Sequence, residues 1–138
     1  MVLEHLPLMA KWLFKEEPAH YSFEHLELDG TAIWDGVRNN LALRNLSMIR
    51  AGDRIIYYHT GDEKAAAGIA ESVSGAYKDE DGFWVVRIRP VRKFRNTVPL
   101  RLIKSAERFS SSPLVRIPRL SVMPVEDDLW NFIIENGK

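Results

Sequence analysis

Between residues 54 and 93 the chain reads as three successive strands, and this run restricts the fold more than any other feature. Residues 54–59 are Arg-Ile-Ile-Tyr-Tyr-His, rich in β-branched and aromatic side chains. Residues 65–74 form a second strand of small residues, in which Gly68 marks a bulge or a close approach. Residues 82–93 alternate: Trp84, Val86, Ile88 and Pro90 share one parity, and Val85, Arg87, Arg89 and Val91 the other. Pro90 has no N–H to give a ladder, so it argues for an edge or a break. Alternation sends Tyr57 and His59 to one face, and Tyr58 and Thr60 to the other. One face is core and the other reaches a site; spacing does not choose between them.

The flanks mix helices with strands. Residues 11–15 read as a short buried strand ended by Pro18. Ser22 can cap a helical turn running to Leu28, closed by Asp29-Gly30. Trp34-Asp35-Gly36 reads as a loop. Asn39 or Asn40 can cap a helix to about Ile49, with Leu43, Leu46 and Ile49 on one stripe. Residues 98–106 look like a short helix, 121–125 a last strand and 126–135 a closing helix with acidic residues in its first turn. The sum is an α+β domain, a small curled sheet or barrel with helices outside. With 138 residues there is room for one domain. Met9 precedes the first patterned segment, which sets residues 1–9 as a tail and 10–138 as the domain.

Composition removes several kinds of chemistry. There is no cysteine, which rules out disulfides, thiolate metal sites and cysteine nucleophiles and fits a reducing, cytoplasmic setting. His5, His20, His25 and His59 lack metal-motif spacing, so neither a metal nor a cofactor is expected. No G-x-S-x-G or phosphate-binding loop pattern occurs. Asn45-Leu46-Ser47 matches a glycosylation sequon, but no secretory leader is expected. No apolar run approaches the ~20 residues that cross a bilayer. Net charge is zero but unevenly placed: residues 87–119 hold ten basic residues and one acidic, Glu107. Such a stretch is either a solvated strand face with turns or a flank that attracts a polyanion.

Two short runs carry the functional signal. Trp12-Leu13-Phe14-Lys15-Glu16-Glu17-Pro18 and Trp34-Asp35-Gly36-Val37-Arg38-Asn39 each place an indole beside charged and amide groups. That mix suits gripping a flat polar ring better than catalysing a reaction. Trp84 and Trp130, within patterned elements, read as core. Trp34, in a loop among polar groups, reads as a binding wall, with Gly36 allowing close backbone approach and Asn39 offering donor and acceptor. Trp12 reads as part of the core strand that places Lys15 and Glu17. Arg119-Leu120-Ser121 opens the last strand.

These runs, together with Gly52-Asp53 followed by Tyr58-His59, Gly68-Ile69-Ala70-Glu71, and Arg119-Leu120-Ser121-Val122-Met123-Pro124-Val125, resemble the EVE domain family in order and spacing, over nearly the whole chain from Ala10. The resemblance implies a PUA-like fold, a curled β-barrel of about five to six strands with short helices around it, related to the YTH domains. It also implies a reader of modified bases, with modified cytosine the leading ligand. In this sequence Trp34 would form a wall of the pocket, and Lys15, Glu17, Asp35 and Asn39 would supply polar contacts. Tyr58, His59 and Thr60 would line another side, and Arg119, Leu120 and Ser121 the rim, with Arg38 toward the phosphates. The chain departs from the family where Glu16 replaces a small hydroxyl residue, Thr60 a serine and Asn40 an aromatic.

The reading is a non-enzymatic module, expected to act as a monomer away from membranes, that holds a flipped modified base of DNA or RNA. An RNA-binding PUA-like protein associated with tRNA or rRNA modification is the alternative. An enzyme on nucleotide-like molecules, with Lys15, Glu17 or His59 as acid or base, is a third reading; it lacks a nucleophile–base pair or a metal set.

Overall fold

A computed structural model describes residues 10–138; the tail expected at 1–9, and His5 with it, lies outside them. Seven strands form one mixed sheet: β1 (Lys11–Glu16), β2 (Ala32–Trp34), β3 (Arg54–His59), β4 (Ala65–Ser72), β5 (Tyr77–Lys78), β6 (Trp84–Pro99) and β7 (Val122–Pro124). Their order is β2-β6-β4-β3-β1-β7, with β5 also on β6. Among the described residues only β1 and β3 pair in parallel, with Phe14 opposite Tyr57, Lys15 opposite Tyr58 and Glu16 opposite His59. The other pairings are antiparallel.

The long β6 curls the sheet into a half-barrel, pairing with β2 near its start and with β4 along its length. The β4–β6 ladder shifts register between Ala66 and Gly68 and again between Ile69 and Ala70, and the β3–β4 ladder shifts between Tyr57 and Tyr58. Such bulges bend and twist a strand. Gly68 is both things its sequence setting suggested. It sits at a bulge, and a Cβ there would lie 2.8 Å from the Arg92 carbonyl oxygen and from the Phe23 ring. Pro90 stands opposite Ala70, at the second irregularity. The strand bends there and continues to Pro99, so the break expected at Pro90 is a bulge inside one strand.

Among the described residues six α-helices pack around the sheet, α1 (Pro18–Tyr21), α2 (Phe23–Asp29), α3 (Asn40–Leu46), α4 (Leu100–Ser105), α5 (Pro113–Arg116) and α6 (Asp127–Gly137), with a 3-10 turn at Glu107–Phe109. Ser22 caps α2 in a reciprocal box with His25, whose backbone N–H it accepts while the His25 ring accepts the Ser22 N–H. Asn39 caps α3 by accepting the Ala42 N–H. The helix expected to reach Ile49 ends at Leu46, and that expected over 98–106 covers only Leu100–Ser105 because β6 runs further. The short α1, α5 and β5 gave no periodic signal, being four, four and two residues long.

The core is aromatic at one end. Trp34 meets Phe14 at 5.0 Å and Tyr57 at 5.4 Å between ring centroids, and Phe23 meets Tyr57 edge-on at 5.6 Å. At the other end Asp53, buried beneath the start of β3, accepts from the Trp12 indole N–H (3.0 Å) and from the backbone N–H groups of Ala10 and Arg50. Trp12 and Trp130 are core, as expected. Trp84 is not: it is half-buried on β6, with the Lys78 ammonium over its ring at 5.3 Å.

Candidate functional site

Alternation along the β1–β3 pair builds two cavities, and no residue lines both. On one face lie Phe14, Tyr57 and the Trp34 cluster, and the strand end on that face is Glu16. Here a cavity of about 460 Å³ is lined by Glu16, His20, Tyr21, Ala32, Ile33, Trp34, Asp35 and Gly36. On the other face Lys15 and Tyr58 line a cavity of about 220 Å³ with Thr60, Gly61, Lys64 and Pro118. The single pocket expected from all the motifs together is therefore split, because Lys15 and Glu16 are neighbours on a strand and point opposite ways.

The larger cavity is framed by β1, α1 and β2. Trp34 is the last residue of β2 rather than a loop residue, as Ala32–Trp34 pairs with residues 86–88 of β6. It is 6 % exposed: most of the ring is fixed by Phe14 and Tyr57, and the remainder forms a cavity wall. Asp35 and Gly36 follow in an exposed turn, Gly36 at φ 76°. Glu16 accepts the Glu17 N–H at 3.0 Å and pairs with the His20 ring at 3.2 Å. The Tyr57 hydroxyl donates to the Tyr21 carbonyl, and the Tyr21 hydroxyl to Asp29 at 2.6 Å. Burial and the nearby Glu16 charge push the Tyr57 phenol up, and burial with Asp29 pushes Tyr21 up to about 12. Both phenols are thus neutral, and the cavity edge carries two carboxylates and one imidazole.

The remaining expected site residues are dispersed. Glu17 is exposed and caps α1 through its carbonyl, which accepts from His20 and Tyr21. Asn39 spends its side-chain oxygen on the α3 cap. Arg38 lies 3.7 Å from the Phe83 ring centroid and donates to the Val37 carbonyl. His59 is buried; its Nε2 accepts the Phe23 N–H at 3.0 Å and its Nδ1 lies 3.2 Å from Glu63. It ties α2 to β3 instead of lining a wall. Leu120 is buried core. Arg119 is exposed, and Ser121 accepts the Lys15 N–H through its carbonyl. Among the described residues no group of three or more His, Asp or Glu side chains could hold a metal ion. Sequence reasoning missed His20 and Tyr21 as cavity residues. The available signal was Pro18 at a helix start with Glu16 and His20 four residues apart.

A mixed, bulged half-barrel with an aromatic cavity between its first two strands defines the class: the chain belongs to the EVE domain family, whose model matches residues 10–136. It is 27 % identical to human thymocyte nuclear protein 1 over 165 aligned positions, covering 92 % of this chain and 73 % of that protein. A protein of Rhodopseudomonas palustris solved by NMR superposes with a TM-score of 0.88 at 33 % identity, covering 94 % of this chain and 93 % of that one. The crystal structure of human thymocyte nuclear protein 1 in complex with DNA containing 5-methylcytosine shares the fold, with a TM-score of 0.85 at 24 % identity, covering 94 % of this chain and 98 % of that one.

Proposed function

We propose that this chain is a non-enzymatic nucleic-acid-binding module that takes one extruded, modified base, cytosine-like, into the Trp34 cavity. The observation that carries the reading is the cavity itself. One wall is an indole held rigid by Phe14 and Tyr57, and the edge has the carboxylates of Glu16 and Asp35. Its volume lies within the ~300–1,000 Å³ of ligand-binding cavities. Carboxylates accept from an exocyclic amino group such as that of cytosine, and the indole adds about 1–3 kcal/mol of stacking. This offsets the few kcal/mol needed to flip a base from a duplex. Human thymocyte nuclear protein 1, bound to 5-methylcytosine DNA, supports the same ligand class here.

The carboxylates repel phosphates, so the backbone must pass over cations beside the cavity. Arg38 is one. Arg87 is another: it is exposed on β6 and paired in register with Ile33 of the cavity wall. The test is titration of oligonucleotides carrying 5-methylcytosine, 5-hydroxymethylcytosine or plain cytosine, as DNA and as RNA. Asp35→Ala, at an exposed position, should lower affinity for the modified strand about tenfold while leaving the thermal midpoint unchanged. Equal, weak binding of every strand by wild type and variant would reject the reading. A preference for RNA regardless of modification would favour the RNA-associated role.

A further inference from the structure

The second cavity has its own chemistry. Three lysines reach it, Lys15 from β1, Lys64 from the β3–β4 connection and Lys104 from the last turn of α4; no lining residue is acidic, and the carboxylate that packs against the lining is that of Glu17, on Gly61. Its apolar wall is built by Leu100, Leu114 and Val115. Tyr58 is only 2 % exposed overall, yet it lines this cavity. A phenol hydroxyl on a cavity wall can donate to an acceptor held in that cavity. Burial raises this phenol to about 12, so it stands ready as a neutral donor. Thr60 offers a second hydroxyl.

The cations are placed rather than loose. Lys15 donates to the Pro118 carbonyl at 2.7 Å and lies 5.6 Å from the Tyr58 ring centroid, which leaves two of its three N–H donors for a ligand. Burial lowers its pKa, and an anion would relieve that desolvation. Lys64 is the one non-glycine residue of positive φ among the described residues, at 45°. The Leu100 N–H fastens its carbonyl at 2.8 Å and holds the strained turn on the cavity rim. Asp62 and Glu63 line an adjoining, shallow depression that shares Lys64, Leu100 and Lys104 with the cavity, and Glu63 is engaged by His59.

We propose that this cavity is a second ligand site, taking the phosphate dianion of a small phosphomonoester on Lys15, Lys64, Lys104 and Tyr58 while its apolar body lies on Leu100, Leu114 and Val115. Three ammonium groups match a dianion better than a single carboxylate, and the apolar wall excludes bare phosphate as the best fit. The site lies across the β1–β3 strands from the Trp34 cavity and does not depend on the base-reading role.

Calorimetric titration of the full chain with phenyl phosphate near neutral pH tests it. One molecule should bind per chain, more tightly than inorganic phosphate or phenylacetate. Binding should weaken about tenfold in the Lys64→Met/Lys104→Met double variant, both positions being exposed, with the thermal midpoint unchanged. It should also weaken in Tyr58→Phe and be unaltered in Asp35→Ala, across the sheet. Absence of binding to wild type, equal affinity in wild type and double variant, or equal affinity for phenyl and inorganic phosphate would overturn the proposal. So would a double variant that loses only oligonucleotide affinity, which would assign these lysines to backbone phosphates.

Discussion

A single aromatic ring links stability and ligand contact at one end of the barrel. Trp34 is wedged between Phe14 and Tyr57, so truncating it removes core as well as cavity wall. Trp34→Ala should cost about 3–5 kcal/mol in urea unfolding, and a loss of base binding in that variant would report unfolding as much as stacking. Asp35→Ala separates the two effects because Asp35 is exposed. At the opposite end Asp53 satisfies three donors from a buried position. Asp53→Ala would leave the Trp12 indole and two backbone N–H groups without that acceptor. Its expected loss is about 3 kcal/mol, read as a lower denaturation midpoint.

Strands and caps decide where these residues point. Gly68→Ala should destabilise by about 1–3 kcal/mol, since the new methyl meets backbone and an aromatic ring at a bulge whose ladder cannot relax freely. Ser22→Ala should cost about 1 kcal/mol by opening the capping box of α2. Much of this level was legible in the linear pattern. Buried, β-rich and small-residue runs mark β1, β3 and β4, alternation marks the start of β6, and the sequence offers Ser22 as one cap and Asn39 or Asn40 as another. Element ends were less legible. β6 passes through Pro90 and on to Pro99 because a bulge accommodates the missing donor. β2, three residues long, is too short to show a period, and its last residue, Trp34, reads from the sequence as part of a loop.

The whole molecule sets how stability and binding respond to solution conditions. Tyr21 and Tyr58 are raised to about 12, and Tyr57 is raised as well, in each case chiefly by burial. Their stabilising contribution is fully present below the unfolded value of 10 and is lost as pH rises toward 12. Lys93, raised by its bond to Glu24, acts in the same direction, whereas Lys15, lowered by burial, opposes them. The denaturation midpoint should therefore fall between pH 10 and 12, less steeply in Tyr58→Phe. Binding to duplex DNA should depend only weakly on salt. Two β6 cations are already matched, Arg89 to Glu71 and Lys93 to Glu24. With Arg38 and Arg87 as the two phosphate contacts, the slope of log K against log salt should be about −1.8.

The sequence by itself determined the α+β class, the curled sheet and the family, because these follow from hydrophobic period, turn residues and motifs whose spacing survives without knowing any contact. It also supplied the residue types of the first cavity, an indole beside carboxylates, whereas the lysines that join Lys15 near Tyr58 carry no local signal. Only the tertiary structure decided which of them meet. Strand alternation puts Lys15 and Glu16 on opposite faces, and the parallel register with β3 carries Tyr57 and Tyr58 with them. One expected pocket thereby becomes two, an acidic aromatic cavity and a cationic one. Register and side-chain direction are products of long-range pairing, which residues far apart in the chain settle together and no local pattern states.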